Sequence, residues 1–115
     1  MKALVCNEFG PTENLALEER PAPTPGKGEI LVDVKAAGVN FPDVLTVQGK
    51  YQFKPQLPFV PGAELAGIVT AVGEGVTSRK VGDKVVSTVQ IGCFAEQCVG
   101  SEHDAFAMGE TMSFE

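Results

Sequence analysis

The chain opens on a short apolar run, Lys2 to Asn7, and a second run follows at Leu15 to Glu19, across the turn-forming stretch Gly10-Pro11-Thr12-Glu13-Asn14. The pattern predicts two paired strands joined by a turn. Pro21, Pro23 and Pro25 then mark a loop that ends at Gly26 and Gly28. The cleanest alternation comes next. Ile30, Val32, Val34 and Ala36 fall on one side and Glu29, Asp33 and Lys35 on the other, with Leu31 the exception. A half-buried strand is expected there.

After Ala37-Gly38 the spacing changes. Phe41, Val44, Leu45 and Val47 recur at helical intervals, Asn40 can cap the start, Pro42 sits in the first turn and Gly49 can stop the helix. Prolines at 55, 58 and 61 make Tyr51 to Pro61 a loop. Glu64 to Val72 is apolar on both faces, as in a barrel wall. Gly73-Glu74-Gly75 and Val81-Gly82-Asp83-Lys84 are turns, leading to strands at Val85 to Val89 and Phe94 to Val99. Ser113 reads as the N-cap of a helix that would begin where the chain stops. A helix needs a full turn to nucleate, so the sequence is expected to be a piece of a longer protein.

Composition narrows the class. A length of 115 residues, 43% hydrophobic and 21% charged, suits one globular domain with a modest core. With 13 glycines, 8 prolines and 7% aromatics, the chain is turn-rich and more β than helical. The net charge of −6 argues against nucleic acid as a partner. The longest apolar stretch, Leu65 to Val72, is far below the roughly 20 residues of a membrane span, and the N-terminus lacks a signal-peptide pattern. Cys6, Cys93 and Cys98 cannot all pair within one chain, so reduced thiols and a cytoplasmic location are expected.

Several glycines have a physical role on their own terms. Gly67 inside an apolar strand permits close approach of another backbone, Gly73 and Gly75 permit positive φ where the strand reverses, and Gly82 does so in a tight turn. Glu64 at the head of a buried strand costs energy unless it is paired or lines a cleft. Cys93-x4-Cys98-x4-His103 has a spacing that fits no common zinc site and lacks a fourth ligand. No Gly-x-Gly-x-x-Gly follows a strand, so no phosphate-cradling loop is present.

Three motifs in order carry a resemblance across the whole chain: Ala36-Ala37-Gly38-Val39-Asn40-Phe41-Pro42-Asp43, Pro61-Gly62-Ala63-Glu64-x2-Gly67-x5-Gly73-x2-Val76, and Val81-Gly82-Asp83-Lys84-Val85. The chain resembles the N-terminal, GroES-like part of a zinc-independent quinone oxidoreductase of the zeta-crystallin type, within the medium-chain dehydrogenase/reductase superfamily. The resemblance implies a mostly β, partly open barrel with one or two short helices, spanning residues 1–115 and followed in the full protein by a Rossmann domain. It further implies a cytoplasmic homodimer that delivers hydride or electrons from NADPH to a quinone-like acceptor, and a domain that is inactive alone.

In the alcohol-dehydrogenase branch a zinc-binding cysteine matches Asn40, a zinc-binding histidine matches Ala63, and a lobe of four cysteines carries a second zinc. Those ligands are absent here, so no metal is expected. Asn40 becomes the candidate donor to a developing oxyanion or to the nicotinamide amide. Asp43 matches a position that is commonly acidic and can hydrogen-bond in the cleft floor. Glu64 is expected to orient groups near the cleft, and the resemblance puts Asn40, Asp43 and Glu64 on the cofactor side. Tyr51 matches a pocket tyrosine able to stack on a quinone. A second pocket tyrosine of the bacterial members is replaced by Leu45. An enoyl reductase of the same superfamily, acting on an enone, is the nearest rival. A non-catalytic co-chaperonin-like module is the rival of another class.

Overall fold

A computed structural model describes residues Met1–Glu115. Strands β1 (Lys2–Val5) and β2 (Ala16–Glu19) pair antiparallel, as expected, with a 3-10 turn at Thr12–Asn14 between them. β3 (Glu29–Ala37), β4 (Glu64–Val72), β5 (Lys84–Thr88), β6 (Gln97–Ser101) and β7 (Ala105–Ala107) form a second sheet in the order β6-β3-β4-β5-β7. The single α-helix, α1, spans Phe41–Gln48 and ends at Gly49 with φ 74°. No helix is long and apolar enough to cross a membrane.

The five-stranded sheet curls on itself. Laid flat, its outer strands β6 and β7 would be about 19 Å apart, at roughly 4.8 Å per step. They are joined only by Glu102–Asp104, a 3-10 turn that rises about 2 Å per residue. The two edges must therefore approach each other. A side chain at Gly100 on β6 would lie 3.4 Å from the Ser87 hydroxyl and 3.2 Å from Val89, on and just beyond β5. This is the partly open barrel expected of the sequence.

Inside the barrel, Ile30, Val32, Leu65, Val69, Val85 and Ala105 pack with Cys93 and Cys98. Full burial of each large aliphatic side chain contributes on the order of 2 kcal/mol. Gly67 fits its expected role, because a side chain there would overlap the Asp33 backbone of β3. A second cluster, Cys6, Val47 and Phe59, ties α1 to the β1 end of the molecule.

Three details depart from the sequence pattern. β6 begins at Gln97 rather than Phe94, because the backbone of Phe94 and Glu96 bonds instead to Leu4, Lys2 and Val34. β7 is an additional strand. Gly73 does not have the positive φ found at Gly75 and Gly82; it is needed because a side chain would strike the Gly26 carbonyl. Near the C-terminus, Phe114 lies beside the Lys84 ammonium, 5.9 Å from its ring centre.

Candidate functional site

The site is built where β3 gives way to α1. Gly38 follows the last residue of β3, and its N–H donates to the Glu64 carbonyl at 3.3 Å. A side chain at Gly38 would overlap the Glu64 carboxylate, so the glycine lets that acid lie across the approach to the helix. Glu64 is exposed and lines a groove described below, the cleft-side alternative of the two open to an acid at the head of this strand. As the first residue of β4 it points to the outer face of the sheet, as Ala66 does, while Leu65 turns into the core. Hydration removes the desolvation cost that an inward acid would carry.

Asn40 adopts an extended conformation, φ −123° and ψ 160°, as the N-cap of α1. Its N–H donates to Asp43 Oδ2 at 2.8 Å, and the Asp43 N–H donates to the Asn40 carbonyl at 3.0 Å. The two residues face each other as in a capping box. The Asn40 side chain faces the Asp43 N–H through its oxygen, and its NH2 group donates to no protein acceptor. The helix start is thus held by Asp43 and the backbone, and the exposed amide is left free.

Asp43 itself is buried, at 6% exposure. Beside it, the Thr46 hydroxyl donates to the Pro42 carbonyl at 2.8 Å and tightens the first turn. Asp43 and Glu64 both raise the pKa of the Cys93 thiol through their negative charge, after the larger effects of the neighbouring Cys98 thiol and of burial. The two carboxylates therefore share one neighbourhood. Tyr51 does not join them. It lies beyond Gly49 at the far end of α1, whose eight residues rise about 12 Å.

A groove of about 480 Å³ begins at Gly38 and Glu64 and runs over the outer face of the sheet. Its floor is a row of residues in register across four strands, Ala36, Ala66, Val86 and Phe106. Of the candidate residues only Glu64 lines it. Sequence reasoning missed this row, since its members are scattered over seventy positions and pair only through the sheet. It also missed the Gly38–Glu64 contact, for which Gly38 between a strand and an N-cap was the available signal.

The donor set does not suit a metal ion. Ala63 brings no ligand, no three His, Cys, Asp or Glu side chains converge, and His103 stands exposed on the 3-10 turn away from the buried Cys93 and Cys98. Nor does the helix start suit a phosphate, since the Asp43 carboxylate takes the Asn40 N–H, Pro42 offers none, and Glu64 adds a second negative charge. The free Asn40 carboxamide does fit an uncharged amide or a carbonyl oxygen.

Residues 26–113 match the alcohol dehydrogenase GroES-like domain, and the chain belongs to that family. It is 42% identical over 117 residues to the rat (Rattus norvegicus) synaptic vesicle membrane protein VAT-1 homolog, covering 100% of this chain and 29% of that protein. It is 37% identical over 117 residues to a quinone oxidoreductase of Lama guanicoe, covering 100% of this chain and 36% of the relative. The solved structure of Escherichia coli quinone oxidoreductase complexed with NADPH superposes with a TM-score of 0.93 at 33% identity, covering 99% of this chain and 35% of that one. The chain thus spans about a third of the length of these relatives.

Proposed function

We propose that this domain is the substrate side of an NADPH-dependent oxidoreductase that passes hydride to a quinone-like acceptor, and that a separate domain holds the dinucleotide phosphates. The observation that carries this reading is the Asn40 carboxamide, fixed at its backbone by Asp43 yet free at its amide. A quinone oxygen gains negative charge as it is reduced, and a donor already in place stabilises that charge without reorganising. NADPH supplies the hydride when bound. The two carboxylates at the helix start repel its phosphates, which favours presentation of the neutral nicotinamide end to this domain. Asn40 then holds the acceptor oxygen or the nicotinamide amide, Glu64 borders the site over Gly38, and Tyr51 closes on a flat acceptor from the far end of α1. The names of the relatives, quinone oxidoreductases among them, support the same reaction class.

Hydride transfer requires donor and acceptor within about 3–3.5 Å, so the domain alone does not catalyse it. Titration of the isotopically labelled 115-residue chain with a fully substituted quinone, followed by NMR, is expected to shift the Asn40 carboxamide and the amides of Gly38 and Glu64, with no oxidation of added NADPH. Shifts confined to other surfaces, or turnover of NADPH by this chain, overturn the proposal. In the full-length protein, faster reduction of enones than of quinones would assign it to the enoyl reductases instead.

A further inference from the structure

Two thiols take no part in the reaction proposed above. Cys93 and Cys98 are buried, at 1% and 3% exposure, in the same core cluster. Cys98 is the second residue of β6, and Cys93 lies in the loop before it, its N–H bonded to the Gly62 carbonyl at 3.2 Å. Gly92 turns that loop at φ 115°, and a side chain there would lie 3.3 Å from the Cys98 sulfur. The loop therefore folds directly onto Cys98, and Cys93 and Cys98 share one core cluster. The neighbouring Cys93 thiol holds Cys98 below the usual thiol range, whereas Cys98, burial and the Asp43 and Glu64 charges push Cys93 up. Of the pair, Cys98 ionises first.

Cys98 also borders a surface groove. Together with Gly92 it lines a space of about 370 Å³, walled by Pro21, Pro58 and Ile91, on the side of the barrel facing the proline-rich loop. Gly92 carries no side chain to lie over the Cys98 sulfur. Cys6 is the internal contrast. It is as deeply buried, its thiol donates to the Glu8 carbonyl at 3.2 Å, and burial pushes it up.

We propose that Cys93 and Cys98 form an oxidisable dithiol, a modification site for hydroperoxides that reach Cys98 through this groove. The Cys98 thiolate attacks the outer peroxide oxygen and the O–O bond breaks. Sulfur keeps that oxygen as a sulfenic acid, and the departing alkoxide takes up the proton that Cys98 released, leaving as an alcohol, or as water from hydrogen peroxide. The Cys93 sulfur then displaces the hydroxyl group from Cys98, and its proton leaves with that group as water. Two thiols have given up two electrons to the peroxide, and one S–S bond has formed. In a reducing compartment such a link is transient and is reversed by dithiols.

The test treats the 115-residue chain with hydrogen peroxide, alkylates it in denaturant and maps the peptides by mass spectrometry. Cys93 and Cys98 are expected in one cross-linked peptide, formed about tenfold or more faster than any oxidation of Cys6, and released by dithiothreitol. In Cys93→Ser the sulfenic acid at Cys98 is expected to be trapped by dimedone. Equal oxidation of Cys6, passage of Cys98 to sulfinic acid without a link in the unsubstituted chain, or three unreacted thiols overturns the proposal. Should Cys93→Ser fail to fold, the peptide map of the unsubstituted chain decides alone.

Discussion

Two buried carboxylates serve two regions of this molecule, the barrel seam and the start of α1. At the seam, Glu102 takes the Thr77 and Ser78 N–H groups at 3.2 Å each and the Ser78 hydroxyl at 2.7 Å, all on one oxygen. Nearby, the Arg79 guanidinium donates to the Ala105 carbonyl at 3.1 Å, so the 77–79 loop is bound to both ends of the β6–β7 turn. At the helix start, Asp43 accepts a single hydrogen bond, from the N–H of Asn40. Both acids are hidden to a similar degree, at 8% and 6% exposure. Glu102, with three bonds on one oxygen, closes a wall. Asp43, with a single bond, fixes a neighbour whose own amide stays open, and an open donor is where a ligand can be recognised.

This contrast can be broken at either region, and the wall is where the largest stability loss is expected. Gly67→Val forces a branched side chain into the Asp33 backbone, and the expected loss is about 3 kcal/mol, read by urea denaturation. At the helix start the large effect falls on catalysis. Asn40→Ala in the full-length enzyme is expected to lower kcat/KM about 100-fold, equivalent to about 2.7 kcal/mol of transition-state stabilisation, with Tm nearly unchanged. A fall in Tm comparable to that of Gly67→Val would erase the distinction between the two regions.

Asp43→Ala lies between them, removing a cap contact and the anchor of Asn40 together. It is expected to cost about 1–2 kcal/mol in urea denaturation and to move the Asn40 N–H resonance. The smallest effect is the acid response of the seam. Hydrogen bonds from the Ser78 hydroxyl and N–H and from Thr77 hold the Glu102 carboxyl below the usual glutamate range. The unfolded chain therefore binds this proton at a higher pH than the folded chain. Stability is fully present above the unfolded value of about 4.3 and is lost as the pH falls towards the folded one. Tm followed from neutral into acid should decline through that window, and Glu102→Gln should flatten part of the decline. An unchanged slope would show that the seam does not depend on this charge.

Much of this was legible where the signal is local. The alternation from Ile30 to Ala36 gave β3, and Asn40, Pro42 and Gly49 bracketed α1 without error. Asn40, Asp43 and Glu64 were singled out on motif grounds, and the structure brings these three together. Tyr51, placed by resemblance on the acceptor side, follows Gly49 at the other end of the helix. What sequence could not show was what pairs across the barrel. β7 is only three residues long, too short for a period to be read. Glu102 finds its partners on Thr77 and Ser78, through a closure that no local pattern announces. For Glu64 the sequence leaves two alternatives open, because composition hides direction: its neighbours are apolar, but as the first residue of β4 it faces out.

The strand order carries a consequence for how the chain is made. β3 leaves the ribosome early, yet one of its edges pairs with β6, in the register Glu29 with Ser101 and Ile30 with Gly100. Until residue 101 has emerged, that edge offers open N–H and C=O groups beside Ile30 and Val32 to any other extended chain nearby. The pairing closes a long loop and so comes slowly, as non-local β contacts do. Nascent chains on neighbouring ribosomes are thus most exposed to cross-pairing in the interval between synthesis of β4 and arrival of β6.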